Sequence, residues 1–475
     1  MIDILIEGGC VVTIDAKRRV LQDGSVAVDQ GRIIEVGPSD HLRSKYQARR
    51  SISAVRKVLL PGFIDTHAHA GHGLTKTIGE HAYRGWFLLM DHIYFRSTTE
   101  EFWHAEAQLS GLEKLKFGTT CAVSMLGSAP RCDDPAFSDA HFEGVRDIGI
   151  RDILGMGPPR GPWPIAFSTW KGFQRTDRRV TLEDCFKTTE RVIQKWHSAD
   201  GKFQVCVAAS SFAPSGYDRV IVGVNDGVAR NQSQFLRELA ARYDVALHGH
   251  CYAGAIDFMR QHLGILGPKT QLAHCVGISP EEVKILADTG TKAIHCPNAR
   301  GHTQGRCPVP ELLEAGVNVA VASDATSPDR TFDLLKDIKT AMTLHRTHFR
   351  DVKVLPPGKM LELITIDAAR VLGLENEIGS LEMGKKADII LIDLDKPHLT
   401  PAFMPVHRIV YEATGADVDT VMVEGEILME NRQVKHVDEK KILRNAEREA
   451  ELMVKRSGVK PFMGMPRKFW GHARY

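Results

Sequence analysis

The chain is 475 residues long, too many for one ordinary domain, and its 43% hydrophobic and 25% charged content is that of a globular protein able to bury a large core. With 61 basic residues against 59 acidic ones the formal net charge is +2, which leaves no electrostatic reason to expect nucleic acid or a membrane surface as partner. The nine cysteines lie between Cys10 and Cys307 with no Cys-x-x-Cys, the first residues carry acids rather than a basic leader, and no apolar run nears a membrane span; reduced thiols and a cytoplasmic location are expected.

Taken in order, residues 2 to 60 alternate in the manner of short strands. Ile2 to Glu7 and Val11 to Ile14 flank a Gly8-Gly9 turn, and Ser25 to Val36 is a hairpin turning at Asp29 to Arg32. Val58 to Phe63 then forms a short buried strand with His67 and His69 at its end. Two histidines two apart on extended chain project to the same face, so both imidazoles can reach one metal ion. Trp86, Phe87, Leu88 and Met90 follow as a helix-borne apolar wall, equally core or substrate pocket.

From Glu100 onward helix and strand alternate. Glu100 to Phe117 places Phe102, Ala105, Leu109, Leu112 and Leu115 on one helical face and runs into a strand at Gly118 to Val123. Leu182 to Trp196 and Gln232 to Tyr243 are further helices, each followed by a strand, Phe203 to Ala208 and Val245 to His250. Pro280 opens another helix with Glu281 and Glu282 at its positive end. Strands ending near Phe63, Val123, Met156, Ala208, His250, His274, Ile294 and Asp324 amount to about eight, the number that closes a parallel barrel.

Near the other end, Lys386 to Asp393 and Asp419 to Met429, with a turn at Glu424-Gly425-Glu426, match the N-terminal β-unit. The expected fold is therefore α/β, a distorted (β/α)8 TIM barrel with a small β-sandwich domain formed by both chain termini. The division is 1–60 and 376–435 for the two parts of the sandwich, 61–375 for the barrel, and 436–475 for a C-terminal helix and basic tail. That tail is a solvated arm or a strap onto a neighbouring subunit, and a homo-oligomer is the expected assembly.

Four apolar strands close on a residue that can bind metal or move a proton: His67 and His69, then His250, His274 and Asp324. A His-x-His pair alone is more often two ordinary polar side chains, but here it is joined by three more strand ends that a barrel points at one opening. Neutral imidazoles with one carboxylate suit one divalent metal, Zn²⁺ first, with Fe²⁺, Co²⁺ or Mn²⁺ as alternatives. His67, His69, His250 and Asp324 are the candidate ligands, and Asp324 also the candidate acceptor of the proton from attacking water. His274 is placed to polarise or protonate the substrate, or else to bind a second metal. His248, one layer deeper on the strand of His250, is rather a satisfied barrel histidine than a ligand.

The segments Pro61-Gly62-Phe63-Ile64-Asp65-Thr66-His67-Ala68-His69, Leu272-Ala273-His274-Cys275-Val276, Cys296-Pro297-Asn298 and Ala322-Ser323-Asp324-Ala325 resemble the amidohydrolase superfamily. The likeness is greatest to the branch of guanine, cytosine and S-adenosylhomocysteine deaminases and triazine hydrolases, atrazine chlorohydrolases among them. It extends through Ile366 to Gly373 and Glu377 to Asp388, which are similar to the family's return into its β-domain. The resemblance implies a mononuclear metal-dependent hydrolase of a small molecule with His274 at the substrate. It also implies no carboxylated lysine, since Ala208-Ala209-Ser210-Ser211 at the fourth strand end offers none. Asn298 matches the family's rim asparagine and is a candidate for orienting substrate.

One position departs from the family. Deaminases of this branch carry a glutamate three residues after the fifth-strand histidine, to shuttle a proton to the ring nitrogen; here the run is His250-Cys251-Tyr252-Ala253. Hydrolysis of a non-peptide carbon–nitrogen bond of amide, carbamate, thiocarbamate or urea type survives that loss better than deamination or dechlorination of a nitrogen heteroaromatic, which is the alternative. His302, on the loop after the seventh strand, is either solvated or a replacement proton donor. Cys251 and Cys275 are expected to be buried inert thiols. A catalytically inactive scaffold of the same fold is the reading from another class.

Overall fold

The computed structural model describes residues 1–127, 131–159, 161–212, 226–301 and 304–473. Eight parallel strands, Phe63–Ala70, Thr119–Leu126, Arg151–Met156, Phe203–Ala209, Leu247–Tyr252, Thr270–Val276, Lys292–His295 and Val319–Val321, pair in sequence order. A parallel bridge between Ala68 and Asp324 brings the last back to the first, and Asp324 N–H donates to the His67 carbonyl at 2.9 Å across that seam. Ser323 adds a second stitch, its N–H donating to Asp65 Oδ1 at 3.1 Å. The barrel expected from the strand count is present.

The connecting helices begin where the polar residues say they should. Thr99 accepts from Phe102 N–H at the start of Glu100–Lys116, and Thr181 with Asp184, and Ser279 with Glu282, form capping boxes for Leu182–Trp196 and Pro280–Thr289. These caps satisfy the orphan N–H groups on entry, and the apolar faces then cover the barrel.

A second sheet gathers both ends of the chain. Its order is Gln433–Val434, Glu426–Glu430, Val418–Val423, Ile389–Asp393, Lys57–Pro61, Ile2–Val12, Val20–Asp29, Arg32–Pro38, with Ala48–Ser53 also pairing with Ile2–Val12. Ile4, Ile6, Val26, Val28 and Leu59 share one core with Ile389, Leu391, Met422 and Ile427, so burial of apolar surface holds the termini together. A buried clamp ties this sheet to the barrel: the Arg151 guanidinium donates to Asp388 at 2.9 and 3.2 Å.

Two expectations need correction, and one element is new. The Gly8-Gly9 pair is not a turn but a bulge inside one strand, Ile2–Val12, with Gly8 at φ 81° and the pairing register shifting around Gly9. Lys57–Pro61 belongs to the second sheet, and the first barrel strand starts only at Phe63 and ends at Ala70, so His67 and His69 lie within it rather than beyond it. Gly62 is where the chain passes from one sheet to the other: a Cβ there would fall 2.2 Å from Thr120 Oγ1. Gly62→Ala should therefore cost about 1–3 kcal/mol in urea unfolding. The new element is an antiparallel hairpin, Ile165–Lys171 with Gln174–Val180.

Among the described residues no helix is long and apolar enough to cross a membrane. The nine cysteines are free and buried, and a hydrogen bond with Cys275, with burial adding to it, raises the Cys251 thiol well above its usual range.

Candidate metal centre

Strand pleat puts His67 and His69 on the inner face of the first barrel strand, and the fifth strand does the same for His248, His250 and Tyr252. Ligand atoms of His67, His250, His274 and Asp324 lie within 4.8 Å of one another, and all four residues are buried. His69 Nε2 stands 3.2 Å from Asp324 Oδ1 and 3.2 Å from His250 Nε2, while His67 Nε2 is 3.4 Å from Asp324 Oδ1.

The outer nitrogens decide the tautomers. His69 Nδ1 is 2.6 Å from the Gly127 carbonyl and His250 Nδ1 is 2.6 Å from the Ser210 carbonyl; a carbonyl only accepts, so each Nδ1 carries the proton. In their neutral forms the two imidazoles then turn lone pairs toward each other and toward a carboxylate oxygen at hydrogen-bond distance. A cation between them satisfies all three acceptors at once. The spacings match the edges of about 3.3 Å that follow from metal–nitrogen bonds of about 2.0–2.1 Å in a tetrahedral site. Burial, reinforced by neighbouring histidines, also pushes His250 well below the usual imidazole range, which keeps it a neutral donor.

His274 completes the inner ring. Its imidazole stacks on His250 at 5.1 Å and on Tyr252 at 5.5 Å, and these two near-parallel contacts fix its plane. The backbone at His274, Cys275 and Asp324 is left-handed, with φ of 74°, 48° and 65°. Non-glycine residues seldom adopt this, and His274 and Asp324 do so at the strand ends from which they reach the centre.

The remaining candidates divide. His248 lies against His67 as a hydrogen-bond partner, its Nε2 2.7 Å from His67 Nδ1. The Trp86 ring stacks on His72 at 5.6 Å, and His72 meets His69 at 5.4 Å, so Trp86 reaches the centre through one intervening ring. Asn298 is tied to the helix Leu334–Phe349, donating to Asp337 Oδ1 at 2.7 Å. His302 lies outside the described residues.

Three residues of the centre were missed. Tyr252 was findable, since it continues the period-two face of His248 and His250. His72 follows the first strand in a 3₁₀ turn, where no periodicity points inward. Arg330 sits in the loop after the last strand, donating to the Ala325 and Ser327 carbonyls at 2.6 and 2.8 Å with Nη2 4.0 Å from Asp324 Oδ2; only the fold brings it there.

A parallel barrel that turns three imidazoles and a carboxylate toward one point defines a metal-dependent hydrolase, with room in the donor set for one divalent ion. The chain belongs to the amidohydrolase family, which it matches over residues 58–428. It is 29% identical to a 5'-deoxyadenosine deaminase of Methanosarcina mazei, covering 96% of this chain and 99% of that one. It is 31% identical to a 5-methylthioadenosine/S-adenosylhomocysteine deaminase of Moorella thermoacetica, covering 92% and 97%. Among solved structures, an adenosine deaminase from Xanthomonas campestris with bound zinc superposes with TM-score 0.81 at 23% identity, covering 96% of this chain and 99% of that one. An atrazine chlorohydrolase from Arthrobacter aurescens complexed with zinc does so with 0.78 at 24%, covering 94% and 100%, and both likenesses speak to the fold. Hydrolysis of a carbon–nitrogen bond, as read from the sequence, fits this family, and the enzyme reading stands in place of the inactive scaffold.

Proposed function

We propose that the enzyme hydrolyses an acyl or carbamoyl carbon–nitrogen bond of a small molecule, an amide, carbamate, thiocarbamate or urea, with His67, His69, His250 and Asp324 holding zinc. Three imidazoles and a carboxylate are borderline donors, which favours Zn²⁺ over Fe²⁺, Co²⁺ or Mn²⁺. When bound, the ion brings the pKa of a coordinated water toward neutrality. Asp324 Oδ2, the oxygen turned away from His67 and His69, then accepts the proton given up by attacking water. His274, its plane fixed by stacking on His250 and Tyr252, faces the substrate atom on which negative charge develops. Trp86 lines the approach.

The observation that carries this reading is Ala253. Its N–H donates to the Val276 carbonyl at 3.1 Å, so a methyl group, not an acid, is fixed at that place. Glu282, close by in the fold, has its oxygens engaged by the N–H groups of Gly254, Ile256 and Ser279 at 3.1–3.2 Å and serves as a cap rather than a shuttle. Attack on a purine or triazine ring leaves charge on a nitrogen that needs such an acid. A tetrahedral acyl carbon puts the charge on oxygen, and a proton donor typically contributes ~10²–10⁴-fold.

The second reading, deamination of an adenosine-type ring, is favoured by the names of the relatives. Kinetics on carbamates, ureas and amides beside 5'-deoxyadenosine and 5-methylthioadenosine separate the two. The wild type should prefer the acyl compounds, and Ala253→Glu should raise ring deamination by about 10²-fold. Efficient deamination by the wild type would overturn the first reading in favour of the second.

A further inference from the structure

We propose that His248 and Gln271 are positioning residues: a directional hydrogen-bond relay that locks the tautomer of His67 and thereby sets how tightly the chain holds its ion. This rests on His67 being a metal ligand, as proposed above. Gln271, the register partner of His248 on the sixth strand, donates its amide N–H to the Val371 carbonyl at 2.9 Å. That carbonyl can only accept, so the amide has one orientation and its Oε1 faces His248 Nδ1 at 3.0 Å. His248 must therefore carry its proton on Nδ1 and accept at Nε2. His67 Nδ1, 2.7 Å from that Nε2, must carry a proton in turn, and His67 Nε2 is left as a lone pair toward the centre. Relative exposures of 0% for His67 and His248 and 3% for Gln271 leave no water to reverse the chain.

The relay has a task that the other two histidines do not set. His69 and His250 are anchored by backbone carbonyls, which admit one tautomer only. His67 is anchored by another imidazole, which can donate or accept. Asp324 Oδ1 lies 3.4 Å from His67 Nε2 and would reward the wrong tautomer, in which Nε2 carries a proton and cannot bind metal. Only a fixed donor–acceptor sense arriving from Val371 prevents it. Groups that orient ligand histidines typically change metal affinity by about 10–100-fold.

The test is zinc affinity of the full chain, measured by competition with a chromophoric chelator, alongside thermal melting of the metal-free protein. His248→Phe, a ring without an acceptor, should weaken zinc by about 10–100-fold, and His248→Gln, which returns an acceptor near the same place, should recover most of the loss. Gln271→Leu should weaken zinc in the same direction with an unchanged apo melting temperature. Wild-type affinity in a folded His248→Phe overturns the relay; should that variant not fold, wild-type affinity in Gln271→Leu does so. If His67→Ala itself binds zinc as the wild type does, what has failed is the assignment of His67 as ligand.

Discussion

Asp324→Asn should keep the barrel folded and most of the ion in place while lowering kcat by about 10²–10⁴-fold, or roughly 3–5 kcal/mol of transition-state stabilisation. The fold survives because the seam at this residue is made by its backbone: the N–H to the His67 carbonyl does not depend on the side chain. An amide oxygen still lies among the imidazole nitrogens and can still bind metal, though less strongly than an anion. What asparagine lacks is a basic oxygen to take the proton from attacking water. Kinetics at saturating zinc, with metal content measured on the same sample, separate lost turnover from lost metal. Wild-type kcat in the variant would remove Asp324 from the mechanism.

Replacing either histidine of the first strand should have the larger effect on composition. In His67→Ala or His69→Ala one of four donors is gone, and the metal measured in purified protein should fall from about one equivalent to a small fraction of it, with activity lost in parallel. The His69 ring also touches His72, so its removal opens space toward Trp86 as well. Elemental analysis showing unchanged metal in both variants would sink the proposed site.

Much of this centre was legible in residue order because metal ligation at barrel strand ends obeys a period of two. His67 with His69, and His248 with His250, announce one inward face each, and the depth difference between the last two puts His248 against His67 Nδ1 and His250 against His69 Nε2. The eight strands and the meeting of the termini follow from apolar runs spaced by helices. What the pattern hides is equally specific. The hairpin strand Gln174–Val180 is exposed along nearly its whole length and carries no apolar alternation. Gly8-Gly9 looks like a turn because a bulge and a turn ask the same freedom of glycine. Asn298 is held by Asp337, a residue on a distant helix that no local spacing relates to it.

The seam of the barrel couples the birth of the site to the completion of the fold. Ser323 bonds Asp65 across 258 positions of sequence, and the adjacent Asp324 bonds His67, so the carboxylate and the first histidine become neighbours only when the earliest and last barrel strands meet. Contacts of such span are entropically costly and form late. A growing chain therefore cannot bring Asp324 beside His67 until residue 324 has been made and docked, and on the proposed ligand set the finished barrel is what should take up the ion.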